Sequence, residues 1–329
     1  MGDRGGARPV RTAGTDYPRP VTSEDQGSTR AGLLFGIGAY GLWGAMPVYF
    51  LLMRPAGAFE IVGMRIVFSL VFCLVLLAVT RGFRRFRGVL RDRSAVSSFA
   101  LAGALIWVNW TVYVIASTSG RVVDAALGYF INPIVTILLG VIVLRERLRP
   151  VQWVAIGVSA LAVVVLALET GSLPWISLAL AASFGFYGLV KKRLGRIDAI
   201  SGLTLETAWL VPVAIVQLVV VGTTSGLAWG TAGWFPTLML TSAGIGTAVP
   251  LLFFAASTRR LPLSIVGFLQ YVAPILQLAI GVAVLHEPMS TARWTGFALV
   301  WAALAILIGE SVVRARPRRA VRVPADSAV

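Results

Sequence analysis

The sequence predicts an all-α integral membrane protein of ten transmembrane helices, arranged as two inverted five-helix repeats. Three observations predict it. Of the 329 residues, 57% are hydrophobic and 13% charged, about half the charged share of a soluble domain, and the apolar residues come in long blocks. Basic residues gather on alternate connections between the blocks. Two stretches 141 positions apart, GYFINPIVTILLGVIVLRER (Gly128 to Arg147) and LQYVAPILQLAIGVAVLHEP (Leu269 to Pro288), carry nearly the same pattern.

Residues 1–30 are polar, rich in Gly, Pro, Ser, Thr and Arg, and lack an apolar core. They read as a disordered cytoplasmic tail, not a cleavable signal peptide. Residues 312–329 read as a second cytoplasmic tail. Between them ten spans fit, at 31–53, 58–80, 97–118, 123–144, 150–169, 173–190, 202–222, 235–256, 262–285 and 291–311. Each is about 18 to 24 residues, enough for a ~30 Å hydrocarbon core at ~1.5 Å per residue. The first repeat is then 31–169 and the second 170–311.

The basic residues fix an orientation. With the N-terminus inside, inner segments hold 25 Lys and Arg and outer loops hold 3, Arg54, Arg121 and Arg293, while Arg65 lies within a span. Such a split puts both termini in the cytoplasm. It also accounts for the net charge of +15 without nucleic acid as a partner.

At the 141-residue offset Pro133 matches Pro274, Gly140 matches Gly281, Glu146 matches Glu287, Trp153 matches Trp294 and Glu169 matches Glu310. YGLWG (Tyr40–Gly44) aligns with FGFYG (Phe184–Gly188) at 144, and Glu60 with Glu206 at 146. Five spans therefore repeat as five. An odd number inverts the second copy, the architecture of secondary transporters with a midplane site.

Pro133 and Pro274 lack a backbone donor, so the carbonyls of Tyr129 and Gln270 lose their helical partners. Such carbonyls belong against protein or a wet cavity. Spans 4 and 9 are expected to kink there, around a cavity lined by Tyr129, Asn132, Gln270 and Tyr271. Asn109 and Tyr113 of NWTVY share one helix face and join it, with Trp43 and Tyr187 as aromatic walls. For Asn109, helix–helix bonding and solute contact are equally open. Close helix packing is the expected role of the glycines in span 1 (Gly32, Gly36, Gly38, Gly41, Gly44) and span 8 (Gly244, Gly246).

Most ionisable residues of the spans sit near their ends, where snorkelling makes them cheap. Arg65 lies deeper and needs a partner or a wet cavity. Glu60, Arg65 and Glu206 are the gate and coupling candidates, with a structural ion pair as the alternative. Glu310 can pair with Arg314, four residues on.

Cys73 is the single cysteine and His286 the single histidine, so a metal site, a Ser-His-Asp triad or a Cys-His dyad has no basis. No phosphate-binding loop is present, and neither cofactor nor catalytic residue is expected.

NWTVYVIA, GRVVDAALGYFINPIVTILLGVIVLRERL with Gln152-Trp153, FLQYVAPILQLAIGVAVLHEPM, and Glu60 followed by Arg65 resemble the RarD branch of the EamA family, in the drug/metabolite transporter superfamily. The resemblance spans about 31–311. Asp124-Ala125-Ala126 departs from it mildly, since Glu and Ser are more typical there. It implies ten helices in two inverted repeats in the bacterial inner membrane, and transport of a small metabolite or drug by alternating access, often as export.

The residues alone favour a secondary transporter for an amphipathic, uncharged or zwitterionic small molecule. Protons are the candidate coupling ion, with Glu60 as first choice. The alternatives are a channel and an intramembrane lipid-processing enzyme. The lipid bilayer is the one other expected partner, and nothing in the sequence fixes an oligomeric state.

Overall fold

The computed structural model describes residues 23–145, 149–194, 197–258, 260–261 and 263–315. These form α1 (Ser23–Leu51), α2 (Ala58–Val79), α3 (Phe83–Arg91), α4 (Arg93–Thr118), α5 (Val122–Leu144), α6 (Pro150–Thr170), α7 (Trp175–Arg193), α8 (Ala199–Thr224), α9 (Trp234–Thr258), α10 (Leu263–Leu269), α11 (Val272–Ala279), a π-helical turn (Ile280–Val284) and α12 (Thr291–Ala315). Among the described residues no strand occurs.

Among the described residues eight helices are long and apolar enough to cross a bilayer: α1 from Thr29, α2, α4, α5, α6, α8, α9 and α12. The expected spans 6 and 9 correspond to shorter apolar stretches, Trp175–Lys191 and Val272–Val284. Helix α1 starts at Ser23 and α12 runs to Ala315, so 23–30 and 312–315 are helical, while the candidate spans begin at Thr29 and end at Glu310. The remaining tail residues, 1–22 and 316–329, lie outside the described residues, as does Glu146.

Before α4, the connection expected as a loop holds α3, FRRFRGVLR, with no buried residue. Its arginines and its Phe83, Phe86 and Leu90 suit a helix lying in the interfacial plane. Asp92 ends it and caps α4, accepting from the N–H groups of Ser94 (3.0 Å) and Ala95 (3.1 Å).

The two prolines have unequal effects. Pro274 follows a break at Gln270–Tyr271 that separates α10 from α11, and a π-helical turn comes soon after. Helix α5 continues through Pro133 without interruption. A Cβ at Gly128 would stand 2.8 Å from the Ser177 carbonyl oxygen, so the α5 and α7 backbones are in contact.

Helix α1 packs on α9 and α11, α2 on α8 and α9, α4 on α7 and α8, and α5 on α7 and α11. Helices α6 and α12 form a peripheral pair, joined to the rest mainly through α5. Glycines make the tightest seams. A Cβ at Gly244 of α9 would lie 2.2 Å from the Phe68 carbonyl oxygen of α2. Gly171 ends α6 in the left-handed region (φ 64°), and four residues, 171–174, lead to α7. The outward faces carry Leu34, Val75, Val79, Leu161, Leu168 and Val216, as a lipid-facing surface requires. The chain is a multi-pass membrane protein.

Candidate functional site

From Glu60 to Ile66 every side of α2 is buried, so this turn has no lipid-facing face and Arg65 must point into protein. Its Nε donates to Thr247 Oγ1 at 2.7 Å, and the Thr247 hydroxyl donates to the Ala243 carbonyl at 2.8 Å. The guanidinium carbon stands 4.3 Å from the Trp110 ring centre and 5.8 Å from that of Phe50. Its Nη1 is buried with no hydrogen-bond partner among the described residues.

From Phe50 a ladder of rings crosses the bundle. Phe50 meets Tyr113 at 5.9 Å between centroids, Tyr113 meets Tyr129 at 5.6 Å, Tyr129 meets Phe184 at 6.1 Å, and Phe184 meets Tyr187 at 5.9 Å. The polar tips are tied down. Tyr113 donates to the Trp43 carbonyl (3.2 Å) and accepts from Gln277 Nε2 (2.9 Å). Tyr129 donates to Asn109 Oδ1 (3.0 Å), while Asn109 Nδ2 donates to the Leu180 carbonyl (3.2 Å) and Ser183 Oγ (3.1 Å). Tyr187 donates to Glu206 Oε2 (3.2 Å), whose other oxygen pairs with Lys191 Nζ at 2.7 Å. One aromatic path thus joins two buried charged groups, Arg65 and Glu206.

The structure brings together five of the residues expected in a cavity: Trp43, Asn109, Tyr113, Tyr129 and Tyr187. Asn109 bridges α4, α5 and α7, the helix-bonding alternative. Asn132 is buried against Gly185 of α7, its Oδ1 without a partner among the described residues. Gln270 and Tyr271 sit apart from the group, both partly exposed at the α10–α11 break. Tyr271 stacks on Phe130 (6.4 Å, 15°) beside the α5–α12 contact. The break turns them aside, and Gln277 supplies the amide instead. Sequence reasoning also missed Phe50, Trp110 and Thr247. Only Gln277 carried a signal, an amide in the apolar run that follows Pro274.

Glu60 does not pair with Arg65. Its carboxylate accepts from the backbone N–H groups of Ala228 (3.1 Å) and Trp229 (2.8 Å), tying α2 to the α8–α9 connection. Glu287, likewise buried, accepts from Val122 N–H (2.6 Å) and Val123 N–H (2.9 Å) at the start of α5, where the helix dipole favours an anion. Nearby, Asp124 pairs with Arg121 (2.7 Å) and Arg293 (3.7 Å). Glu310 pairs with Arg149 at 3.4 Å. At the opposite, arginine-rich end a cleft of about 380 Å³ lies between α2, α8 and α9, lined by Leu77, Arg85, Asp198, Leu252 and Arg260 among others.

Residues 30–168 match the EamA-like transporter family. Protein RarD of Streptomyces exfoliatus is 45% identical over 291 residues, covering 88% of this chain and 92% of its own. The chain belongs to the RarD branch of the EamA family. An uncharacterized transporter of Pseudomonas aeruginosa is 41% identical to this RarD-branch chain over 280 residues, covering 84% of it and 93% of its own length. A solved crystal structure, 19% identical, overlays at a TM-score of 0.55, covering 88% of this chain and 100% of its own. That likeness bears on the EamA fold alone. The RarD-branch chain is a membrane transporter.

Proposed function

We propose that the chain is a secondary active transporter that moves a small amphipathic metabolite or drug across the bacterial inner membrane by alternating access. Its two five-helix halves are inversely inserted, both termini are cytoplasmic, and the solute is held where the halves meet. The carrying observation is the buried group of Arg65, Trp110, Tyr113, Tyr129 and Gln277, drawn from α2, α4, α5 and α11. Polar and aromatic groups there converge from both halves inside an apolar bundle.

Equivalent contacts support the inverted repeat. Gly44 meets Ala273 and Leu276, while Gly185 meets Asn132 and Val135, and each pair of counterparts is 141 residues apart. Gly36 against Leu269 and Ser177 against Gly128 repeat the relation. These contacts favour 141 for the first span too, in place of the 144 suggested by YGLWG and FGFYG.

The roles of the charged residues divide. Glu60, bonded by two backbone amides, suits a latch on the periplasmic end better than a proton carrier. Glu206, paired with Lys191 in the cytoplasmic half of α8, is the stronger candidate for proton coupling.

The test uses a Cys73→Ser background with single cysteines at Arg85, Lys192 and Trp229, labelled by an impermeant maleimide in intact cells and inverted vesicles. Cysteines at 85 and 192 are expected to react only from the cytoplasmic side and at 229 only from the periplasmic side. Opposite sidedness of 85 and 192 refutes the inverted halves. Alternating access further requires that solute or a pH gradient change reactivity at 85 and 229 in opposite directions.

A further inference from the structure

We infer that Arg65 is an anion-binding centre and that the transported solute is a monoanionic organic acid, its carboxylate paired with the guanidinium and its apolar or aromatic body held by Phe50, Trp110, Tyr113 and Tyr129. This rests on reading that group as the transport site and narrows the cargo, which sequence alone suggested to be uncharged or zwitterionic.

The first step is the charge. A guanidinium stays protonated in a protein, so Arg65 is a cation wherever it sits. It is 5% exposed in the middle of a membrane bundle. Removing such an ion from water costs several kcal/mol unless an anion compensates it.

The second step is the missing anion. Among the described residues no carboxylate forms an ion pair with Arg65. The buried acids nearby are committed elsewhere: Glu60 to Ala228 and Trp229, Glu206 to Lys191, and Glu287 to Val122 and Val123. The faces of Trp110 and Phe50 attract the cation but bring no counter-charge and no hydrogen-bond acceptor for its N–H groups. The Thr247 hydroxyl uses one of five N–H donors, and Nη1 is buried with no partner among the described residues. An arginine in this state is a fork waiting for two acceptor oxygens.

The third step is the ligand's valence and shape. Among the described residues Lys191 is the other cation on the aromatic path, and Glu206 already neutralises it. One free positive charge suits a carboxylate and leaves a dianionic phosphate half compensated. The rings on either side supply broad apolar contact and few free donors. Gln277 Oε1, also buried and unpartnered among the described residues, offers one acceptor for an N–H or O–H on the solute body.

The experiment compares matched acids and amides on the purified full-length protein. Phenylacetate and indole-3-acetate, with phenylacetamide and indole-3-acetamide, are titrated while the unfolding temperature and tryptophan fluorescence are followed. At least one acid is expected to give a saturable response, its amide needing about tenfold more or worse, the scale of one charge-assisted hydrogen bond. Arg65→Gln is expected to abolish the acid's advantage and Arg65→Lys to retain part of it. Should Arg65→Gln not fold, the acid–amide contrast on the unmodified protein still decides. Equal responses to acid and amide, or no saturable response to either acid, overturn the proposal, as does unchanged acid binding in a folded Arg65→Gln protein. None of these results affects the cysteine-labelling test, so loss of the anionic cargo and loss of alternating access are read separately.

Discussion

Replacing Gly244 by alanine tests the central geometry most directly. The added Cβ would lie 2.2 Å from the Phe68 carbonyl oxygen, 2.3 Å from its carbon and 2.7 Å from the Ser69 nitrogen. All three are backbone atoms of α2, so no rotamer relieves the clash. Restoring an ordinary contact of ~3.4 Å requires α2 and α9 to part by ~1 Å at this level. Thr247 lies three residues beyond Gly244, and Arg65 three before Phe68, so their hydrogen bond crosses the same seam. Stretched from 2.7 Å by that displacement, it passes the limit of a hydrogen bond. Overpacking costs ~1–3 kcal/mol and losing a charged hydrogen bond ~1.5–3 kcal/mol, so Gly244→Ala should cost ~3–5 kcal/mol. The assay is thermal unfolding of purified protein in detergent, with solute-dependent fluorescence as the functional readout. Gly188→Ala, where a Cβ meets nothing within 4 Å, is the control and should match the unmodified protein or exceed it slightly. A Gly244→Ala protein that melts with the unmodified one and still responds to solute would refute the reasoning.

Three other outcomes are expected. Glu60→Ala strands the Ala228 and Trp229 N–H groups, and should cost ~2–4 kcal/mol and raise maleimide reactivity of a cysteine at Trp229; unchanged reactivity argues against a latch. Asn109→Leu removes bonds to Leu180, Ser183 and Tyr129, and at ~0.6–1.7 kcal/mol each should lower the unfolding temperature markedly while leaving charge selectivity intact. In proteoliposomes with an imposed pH gradient, Glu206→Gln should uncouple uptake from the gradient whereas Glu60→Gln should not; the reverse pattern would return the coupling role to Glu60.

Much of the fold was legible because lipid imposes simple rules. Long apolar runs separated by arginines give the helices and their ends, and Gly128–Arg147 and Leu269–Pro288 share Pro, Gly and Glu in one register. The site was legible in part. Tyr113 and Tyr129 lie on faces that periodicity can locate, and Arg65 was conspicuous as a deep charge. What stayed hidden depends on contacts between helices. Pro133 and Pro274 look alike in sequence, yet α5 runs on through the first while the chain breaks just before the second. The break and the π-helical turn set the facing of Tyr271 and Gln277, so the expected amide at 270 gives way to one seven residues later. Nor can spacing reveal that Glu60 would prefer two distant backbone amides to the arginine five residues on.

The four-residue connection from Gly171 to Pro174 limits how the molecule can work. In the proposed cycle a tether that short keeps the end of α6 beside the start of α7, so α1–α6 and α7–α12 can pivot about it but not part there. A flexible insert at this point is expected to leave the resting shape alone and to weaken the coupling between the proposed halves.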